Sequence, residues 1–178
     1  DPDAVEVASE RLSGLPATVV HSNYREMRRV LDTLNIKEVD GVLLDIGVSS
    51  FQFDNTERGF SYHGSAPLDM RMSKEGMTAA DVVNTYSERD LTRILRDYGE
   101  EKFAQRIARS IVQYRQEKPI EMTLELAEII KNAIPAATRR TGGHPAKRSF
   151  QAIRIEVNGE LQKLQDTLDD MFYSLKPE

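Results

Sequence analysis

The sequence contains no cysteine, which excludes disulfide bonds and thiolate metal sites. Its three histidines, His21, His63 and His144, are too scattered to form a metal-ligand spacing, so no metal site is predicted. No run approaches the roughly 18 apolar residues that a membrane span needs, and there is no secretory hydrophobic segment. Together these absences predict a soluble globular protein in the cytoplasm, with no membrane partner.

With 178 residues, 39% of them hydrophobic, the chain is long enough to bury a core. The net charge of −5 argues against indiscriminate binding of polyanions, although the 24 basic residues can still be segregated onto one face. The apolar pattern predicts helix, strand, helix, strand over the first quarter, with strands at 17–20 and 42–44. That order is typical of a parallel sheet with crossover helices.

The rest of the chain is predicted to be helical. Consecutive helices with no strand between them follow from about residue 78, including one over 100–116 and one over 123–133. From Phe150 to Leu175 the apolar residues recur in alternating steps of three and four. This spacing predicts one long amphipathic helix that packs back on the sheet.

An apolar run in the stretch 40–50 stops at Asp45 and gives way to small polar residues. In open α/β sheets, ligands bind beyond the carboxyl ends of the strands. Asp45, Gly47, Ser49 and Ser50 are therefore candidates for the lining of a crevice. Since Asp, Gly and Ser are also common loop formers, an aspartate that merely caps the next turn is an equally weighted alternative.

Two loops combine charge with apolar residues. In 57–61 and 67–72, acids and arginines alternate with apolar side chains, which suits a ligand-binding loop or an internally salt-bridged loop. The segment 144–151 offers cations near a helix start, where phosphate is favoured. The basic residues of 102–115 form either a stripe for a phosphate backbone or an ordinary solvated helix face.

Six separated motifs occur along nearly the whole chain: 40–50, 57–61, 67–72, 98–104, 106–109, and 144–146 with 150–155. In sequence and order they resemble one family, the bacterial-type 16S ribosomal RNA (cytosine-N4)-methyltransferases, which use S-adenosylmethionine to modify a decoding-region cytosine of the small subunit. The resemblance implies an α/β fold: a partial Rossmann-like methyltransferase domain with a parallel sheet, formed by 1–52 and 146–178. An all-α subdomain for substrate recognition, 53–145, would be inserted in it.

The resemblance also implies the functional residues. Tyr24, Asp45 and Gln52 would contact the methyl donor, and Asp45, Ser49 and Ser50 would face the reacting cytosine. The residues implied to bind the substrate are Arg58, Phe60, Asp69, Arg71, His144, Arg148 and Arg154. Phe60 and Tyr62 are candidates to stack on an accessible or flipped-out base. The partner would be the small ribosomal subunit and its RNA.

The family's glycine-rich donor loop and its last strands are not found in the 178 residues. The chain is therefore expected to be an internal piece of the methyltransferase domain that binds the donor weakly or not at all. Two other interpretations remain open. A non-catalytic RNA-binding module predicts one continuous basic surface from 102–115 and 147–154, with a filled crevice. A methyltransferase of the same architecture that acts on another substrate predicts a narrower pocket.

Overall fold

The computed structural model describes residues 1–73, 75–139 and 143–177, apart from the side chains of Ser50 and Phe51. Within these ranges the regular structure is helical, and strand pairing is limited to isolated bridges. None of the described helices is long and apolar enough to cross a membrane. The helices are α1 (Pro2–Arg11), α2 (Met27–Thr33), α3 (Ser50–Asp54), α4 (Ala79–Thr85), α5 (Glu88–Asp97), α6 (Ala104–Tyr114), α7 (Thr123–Ala133), α8 (Ala136–Arg139), α9 (Lys147–Asn158) and α10 (Glu160–Tyr173), with 3-10 helices at Tyr24–Glu26 and Thr56–Arg58.

The chain forms two compact units. The first comprises residues 1–47 and 159–178, and the second comprises residues 48–158. The sequence prediction placed its boundaries at 52/53 and 145/146. The units differ from that division because α9 packs against α4 and α5 of the second unit. The predicted division into functional domains stays a prediction.

In the first unit, α10 packs against α2 and the 3-10 helix Tyr24–Glu26. The buried residues of the first unit lie on α10 and just after it, namely Thr167, Met171 and Ser174. The backbone of Val39 is bound to the segment that follows α10. Its N–H donates to the Ser174 carbonyl at 2.8 Å, and its carbonyl accepts from the Lys176 backbone N–H at 3.0 Å. The first unit therefore has a small core centred on α10.

The strands predicted at 17–20 and 42–44 do not form in the described residues. Leu43, predicted to be buried, is 93% exposed, and no residue of 1–47 is buried. A strand requires a neighbour for its N–H and C=O groups. The first unit supplies one such contact within the described chain, the parallel bridge between Val39 and Leu175.

The second unit holds the main hydrophobic core. Helix α5 packs against α6 and α9, and α6 packs against α7. Leu91, Ile94 and Leu95 of α5 are fully buried, and burial of each such side chain stabilises the fold by about 1.5–3 kcal/mol. Ser87 caps this helix, since its hydroxyl accepts from the Asp90 N–H at 3.1 Å. The helix predicted over 123–133 is confirmed as α7.

The prediction of one long helix from Phe150 to Leu175 is wrong. Helix α9 ends at Asn158 and α10 begins at Glu160, with Gly159 between them at φ +57°. Glycine adopts this left-handed conformation without the Cβ penalty of other residues. The apolar spacing continues through the break, so the pattern alone did not reveal it.

Glu125 of α7 contacts three residues at the end of α6 and in the segment between α6 and α7. Its carboxylate accepts hydrogen bonds from the Tyr114 hydroxyl at 2.8 Å and the Glu121 N–H at 3.1 Å. The Lys118 ammonium lies 2.5 Å from the same carboxylate. Burial alone would raise the pKa of Glu125, but the bonds from Lys118, Glu121 and Tyr114 outweigh it and lower this pKa to about 2.

We expect acid to remove this contribution to stability. The folded-state pKa of Glu125 lies below its ordinary value of 4.5, so the carboxylate stabilises the native state above pH 4.5. The stabilisation is lost as the pH falls from 4.5 towards 2. Urea midpoints of the wild type and Glu125→Gln should therefore differ most at pH 7, differ less at pH 3 and converge near pH 2. A difference independent of pH would contradict this assignment.

Candidate functional site

Ser49 and Gln52 form a capping box at the start of α3. The Ser49 N–H donates to Gln52 Oε1 at 3.0 Å, and the Gln52 N–H donates to Ser49 Oγ at 3.3 Å. Gln52 is 5% exposed, whereas Ser49 is exposed. The spacing Ser-x-x-Gln is a recognised capping signal, and it could have been read from the sequence. The helix start therefore fixes the orientation of two of the predicted site residues.

Arg58 is a buried cation that joins two segments of the second unit. Its side chain is 8% exposed, and Nη2 donates to the carbonyls of Arg71 at 2.9 Å and Met72 at 3.0 Å. Its guanidinium carbon lies 6.0 Å from the ring centroid of Phe60. Phe60 itself is 4% exposed and belongs to the core, and its stacking on a base stays a prediction. Arg58 therefore holds the loop 67–72 by hydrogen bonds to its backbone, and Phe60 packs in the core beside Arg58.

Asp69 and Arg71 form a close ion pair within this loop. Arg71 Nη2 donates to Asp69 Oδ2 at 2.7 Å, and the Arg71 backbone N–H donates to Asp69 Oδ1 at 2.9 Å. Burial alone would raise the pKa of Asp69, but the hydrogen bonds from Arg71 outweigh it and lower this pKa. The second guanidinium nitrogen of Arg71, Nη1, donates to the Gly76 carbonyl at 3.2 Å. The loop 67–72 therefore contains an internal salt bridge, as one of its two interpretations predicts.

Asn158 fixes the same loop from the end of α9. Its Nδ2 donates to the Met70 carbonyl at 2.8 Å, and its Oδ1 accepts from the Met72 N–H at 2.8 Å. Met70 between these contacts has φ +61° and is buried. A non-glycine residue is rarely left-handed unless its surroundings enforce it. Sequence reasoning missed Asn158, because nothing local marks it as the partner of a distant loop.

His144 precedes α9 and stacks on an aromatic neighbour. Its ring centroid lies 4.4 Å from that of Tyr62 with 15° between the planes, and 5.6 Å from that of His63. Nδ1 of His144 accepts from the Ala146 N–H at 3.2 Å, which places the proton of the neutral ring on Nε2. Burial, followed by the nearby His63, lowers the pKa of His144. The ring is therefore neutral at pH 7.

A cleft of about 260 Å³ opens beside His144. Arg139 and Arg148 line it, and each is anchored by a backbone carbonyl: Arg139 Nε donates to Ile134 at 2.7 Å, and Arg148 Nη1 donates to Glu100 at 2.9 Å. The lining residues of this basic cleft are Glu101, Lys102, Phe103, Ile134, Thr138, Arg139, Gly143, His144, Pro145, Lys147 and Arg148.

Part of the basic surface predicted for 102–115 and 147–154 is therefore formed. Lys102 joins Lys147 and Arg148 in the basic cleft. Two other members are engaged elsewhere, since Arg115 donates to the Val83 carbonyl at 2.7 Å and Arg109 lies 3.5 Å from the Glu88 carboxylate. Arg154 is half-buried on α9 and does not line the cleft.

Two further predicted residues, Tyr24 and Asp45, lie in the first unit. Asp45 is exposed, in a segment without helix or strand. The Tyr24 hydroxyl donates to the Glu160 carbonyl at 3.2 Å, and burial together with the Glu160 charge raises the pKa of Tyr24. A cavity shared by Tyr24, Asp45 and Gln52 stays a prediction. The side chain of Ser50 lies outside the described residues.

Three named relatives are similar to nearly the whole chain. A protein of Agathobacter rectalis named "Ribosomal RNA small subunit methyltransferase H 2" is 58% identical over 99% of this chain. Proteins named "Ribosomal RNA small subunit methyltransferase H" from Lachnospira eligens and Deinococcus deserti are 56% and 54% identical over 100% and 99% of it. In each case the match covers 58% of the relative, so the chain spans less than two thirds of their length.

The profile of the MraW methylase family matches residues 1–178. Such a match, end to end and in agreement with relatives more than half identical, is too extensive for chance. It also accounts for the resemblance of the six motifs. The chain belongs to the MraW methylase family.

Proposed function

We propose that the protein transfers a methyl group from S-adenosylmethionine to the exocyclic N4 amine of a decoding-region cytosine in small-subunit ribosomal RNA. The observation that carries the proposal is the similarity of almost all of this chain to proteins named as small-subunit ribosomal RNA methyltransferases. The six motifs of the sequence support the specific base and atom. The protein would therefore work on the small ribosomal subunit or its RNA.

The proposed donor-binding residues are Tyr24, Asp45 and Gln52. Their chemistry fits the group, because the donor carries hydroxyl and ammonium donors that a carboxylate and an amide oxygen can accept. Asp45 is exposed and accessible to a ligand, and the amide of Gln52 is oriented by its capping box with Ser49. When bound, S-adenosylmethionine supplies an activated methyl group on a sulfonium.

The residues of this chain would act by positioning the cytosine amine, which is a poor nucleophile. Asp45 would accept a hydrogen bond from the amine and so orient its lone pair, with Ser49 and Ser50 beside it. The loop 67–72, held by Arg58 and by the pair Asp69–Arg71, would shape the pocket for the base. His144, Arg148 and Arg154 would bind the surrounding RNA.

The proposed fold of the whole domain is Rossmann-like with a parallel sheet. Residues 1–52 and 146–178 would belong to that domain, and residues 53–145 would form the inserted substrate-recognition subdomain. The apolar run Val42 to Leu44, which ends at Asp45, supports this assignment, because such a run is typical of a strand covered on both faces. The relatives are longer than the matched region, which leaves room for the neighbouring strands.

Methyl transfer by the protein over its natural length tests the proposal. The assay supplies labelled S-adenosylmethionine and small ribosomal subunits that lack the modification, followed by mass analysis of the nucleosides. We expect N4-methylcytidine. Donor binding without label in the RNA would overturn the ribosomal assignment and favour another substrate, and RNA binding without any methyl transfer would favour the non-catalytic module.

Asp45→Asn is expected to lower kcat/KM about 10- to 150-fold, because loss of a hydrogen bond to a charged group costs about 1.5–3 kcal/mol. Asp169→Asn is a matched control, since Asp169 is likewise exposed and lies on α10 of the same unit. Equal rates for the two variants would remove Asp45 from the site.

A further inference from the structure

We propose that the basic cleft binds the phosphodiester backbone of single-stranded RNA. This inference rests on the proposed function and specifies it, because it names the group recognised and the residues that recognise it. It adds Lys102, Arg139 and Lys147 to the residues that contact RNA. None of these three belongs to the binding residues implied by the family resemblance.

The charge of the cleft points to an anionic ligand. Among the described residues four cations line it, Lys102, Arg139, Lys147 and Arg148, in a chain whose net charge is −5. The acid in the lining, Glu101, is 7% exposed, and its carboxylate accepts from the Phe103 N–H at 3.0 Å. The carboxylate is thus turned into the protein, and the cations dominate the open side of the cleft.

The cations are presented in two ways that suit phosphate. Arg139 and Arg148 each donate one hydrogen bond to a backbone carbonyl, which fixes the guanidinium. Other N–H groups of each guanidinium can then donate to phosphate oxygens. Lys102 and Lys147 are exposed and pair with no acid among the described residues. An exposed cation that stabilises no partner in the protein is available to an external phosphate.

The aromatic ring in the lining favours a nucleic acid over an acidic peptide. His144 lines the cleft, and Tyr62 stacks on it and holds it, so a flat ring lies beside the cations. Single-stranded nucleic acids are bound where a basic groove follows the backbone and aromatic rings meet the bases. A peptide carboxylate would use the cations but not the ring.

The experiment measures how RNA affinity depends on salt, using the protein over its natural length and a short fluorescein-labelled single-stranded RNA. Each phosphate contact contributes about 0.7 to the slope of log K against log salt for single strands, so Lys102→Gln/Lys147→Gln should reduce the slope by about 1.4. Over a fourfold rise in salt, the wild type would then lose about sevenfold more affinity than the variant.

Lys37→Gln/Lys163→Gln is the matched control, because it removes two lysines from the first unit that lie outside the basic cleft. Its slope should equal that of the wild type, and circular dichroism should show both variants folded. Equal slopes for the two double variants would overturn the cleft assignment while leaving methyl transfer intact. Displacement of the RNA by poly-glutamate at matched charge would identify an acidic-peptide site instead. A wild type that binds no RNA would overturn the proposed function as well.

Discussion

Gly59→Ala is expected to destabilise the second unit by about 4 kcal/mol, of which about 1–2 kcal/mol is the cost of a left-handed non-glycine residue. Gly59 has φ +70°, and a Cβ at this position would overlap the Pro67 carbonyl oxygen and lie 2.8 Å from the Asp69 nitrogen. Both atoms belong to the backbone of the loop 67–72, which cannot shift without losing its bonds to Arg58 and Asn158. Urea unfolding followed by circular dichroism measures the change.

Gly64→Ala is the control for this substitution. Gly64 precedes the same loop, its φ lies outside the left-handed range, and an added Cβ would meet no atom within 4 Å. The free energy of unfolding of Gly64→Ala should therefore stay within about 0.5 kcal/mol of that of the wild type. If the two alanine variants unfold at the same urea concentration, the close approach of Gly59 to the loop is refuted.

Arg58→Met is expected to cost about 3 kcal/mol, because it removes a charged donor from two buried carbonyls without replacing it. Methionine is close to arginine in length and leaves no large cavity. The loss of stability would therefore come from the missing hydrogen bonds to Arg71 and Met72. Hydrogen exchange should accelerate at the Met70 and Met72 amides, whose acceptors are the Arg58 carbonyl and the Asn158 side chain.

Arg58→Lys separates charge from geometry. Lysine keeps the positive charge but cannot donate from a planar fork to two carbonyls, so we expect an intermediate loss of stability. Unchanged stability of Arg58→Met, combined with weaker RNA binding, would show that Arg58 contacts the substrate and does not brace the loop.

Local signals explain which elements could be predicted. Helix α7 followed from its apolar spacing and from Pro135, which lies two residues beyond its end. The cap at Ser87 is local in the same sense, because its partner Asp90 lies three residues along the chain. Helix α9 was predicted too long, because the apolar pattern runs on past Gly159 and only the backbone conformation reveals the break. In each case the outcome depended on whether the decisive contact lay within four residues.

The strands and the site depended on distant contacts. Val42 and Leu43 have the composition of a buried strand, but composition cannot supply the neighbouring strand that pairing requires. Arg58, Asp69 and Arg71 were recognised as a group, yet their pairing with one another and with backbone carbonyls appeared only in three dimensions. For the same reason the place of Phe60 in the core could not be predicted from its local sequence.

The bonds from Asn158 to Met70 and Met72 also determine when the loop 67–72 can acquire its shape. These residues are separated by 88 and 86 positions, so the loop has no native partner on its far side until α9 has been synthesised and docked. During translation the segment will emerge early, and it will lack these two bonds while α4 to α7 fold locally. The loop is therefore completed late, and a chain released by a ribosome that stalls before residue 158 would lack the bonds that hold Met70 and Met72.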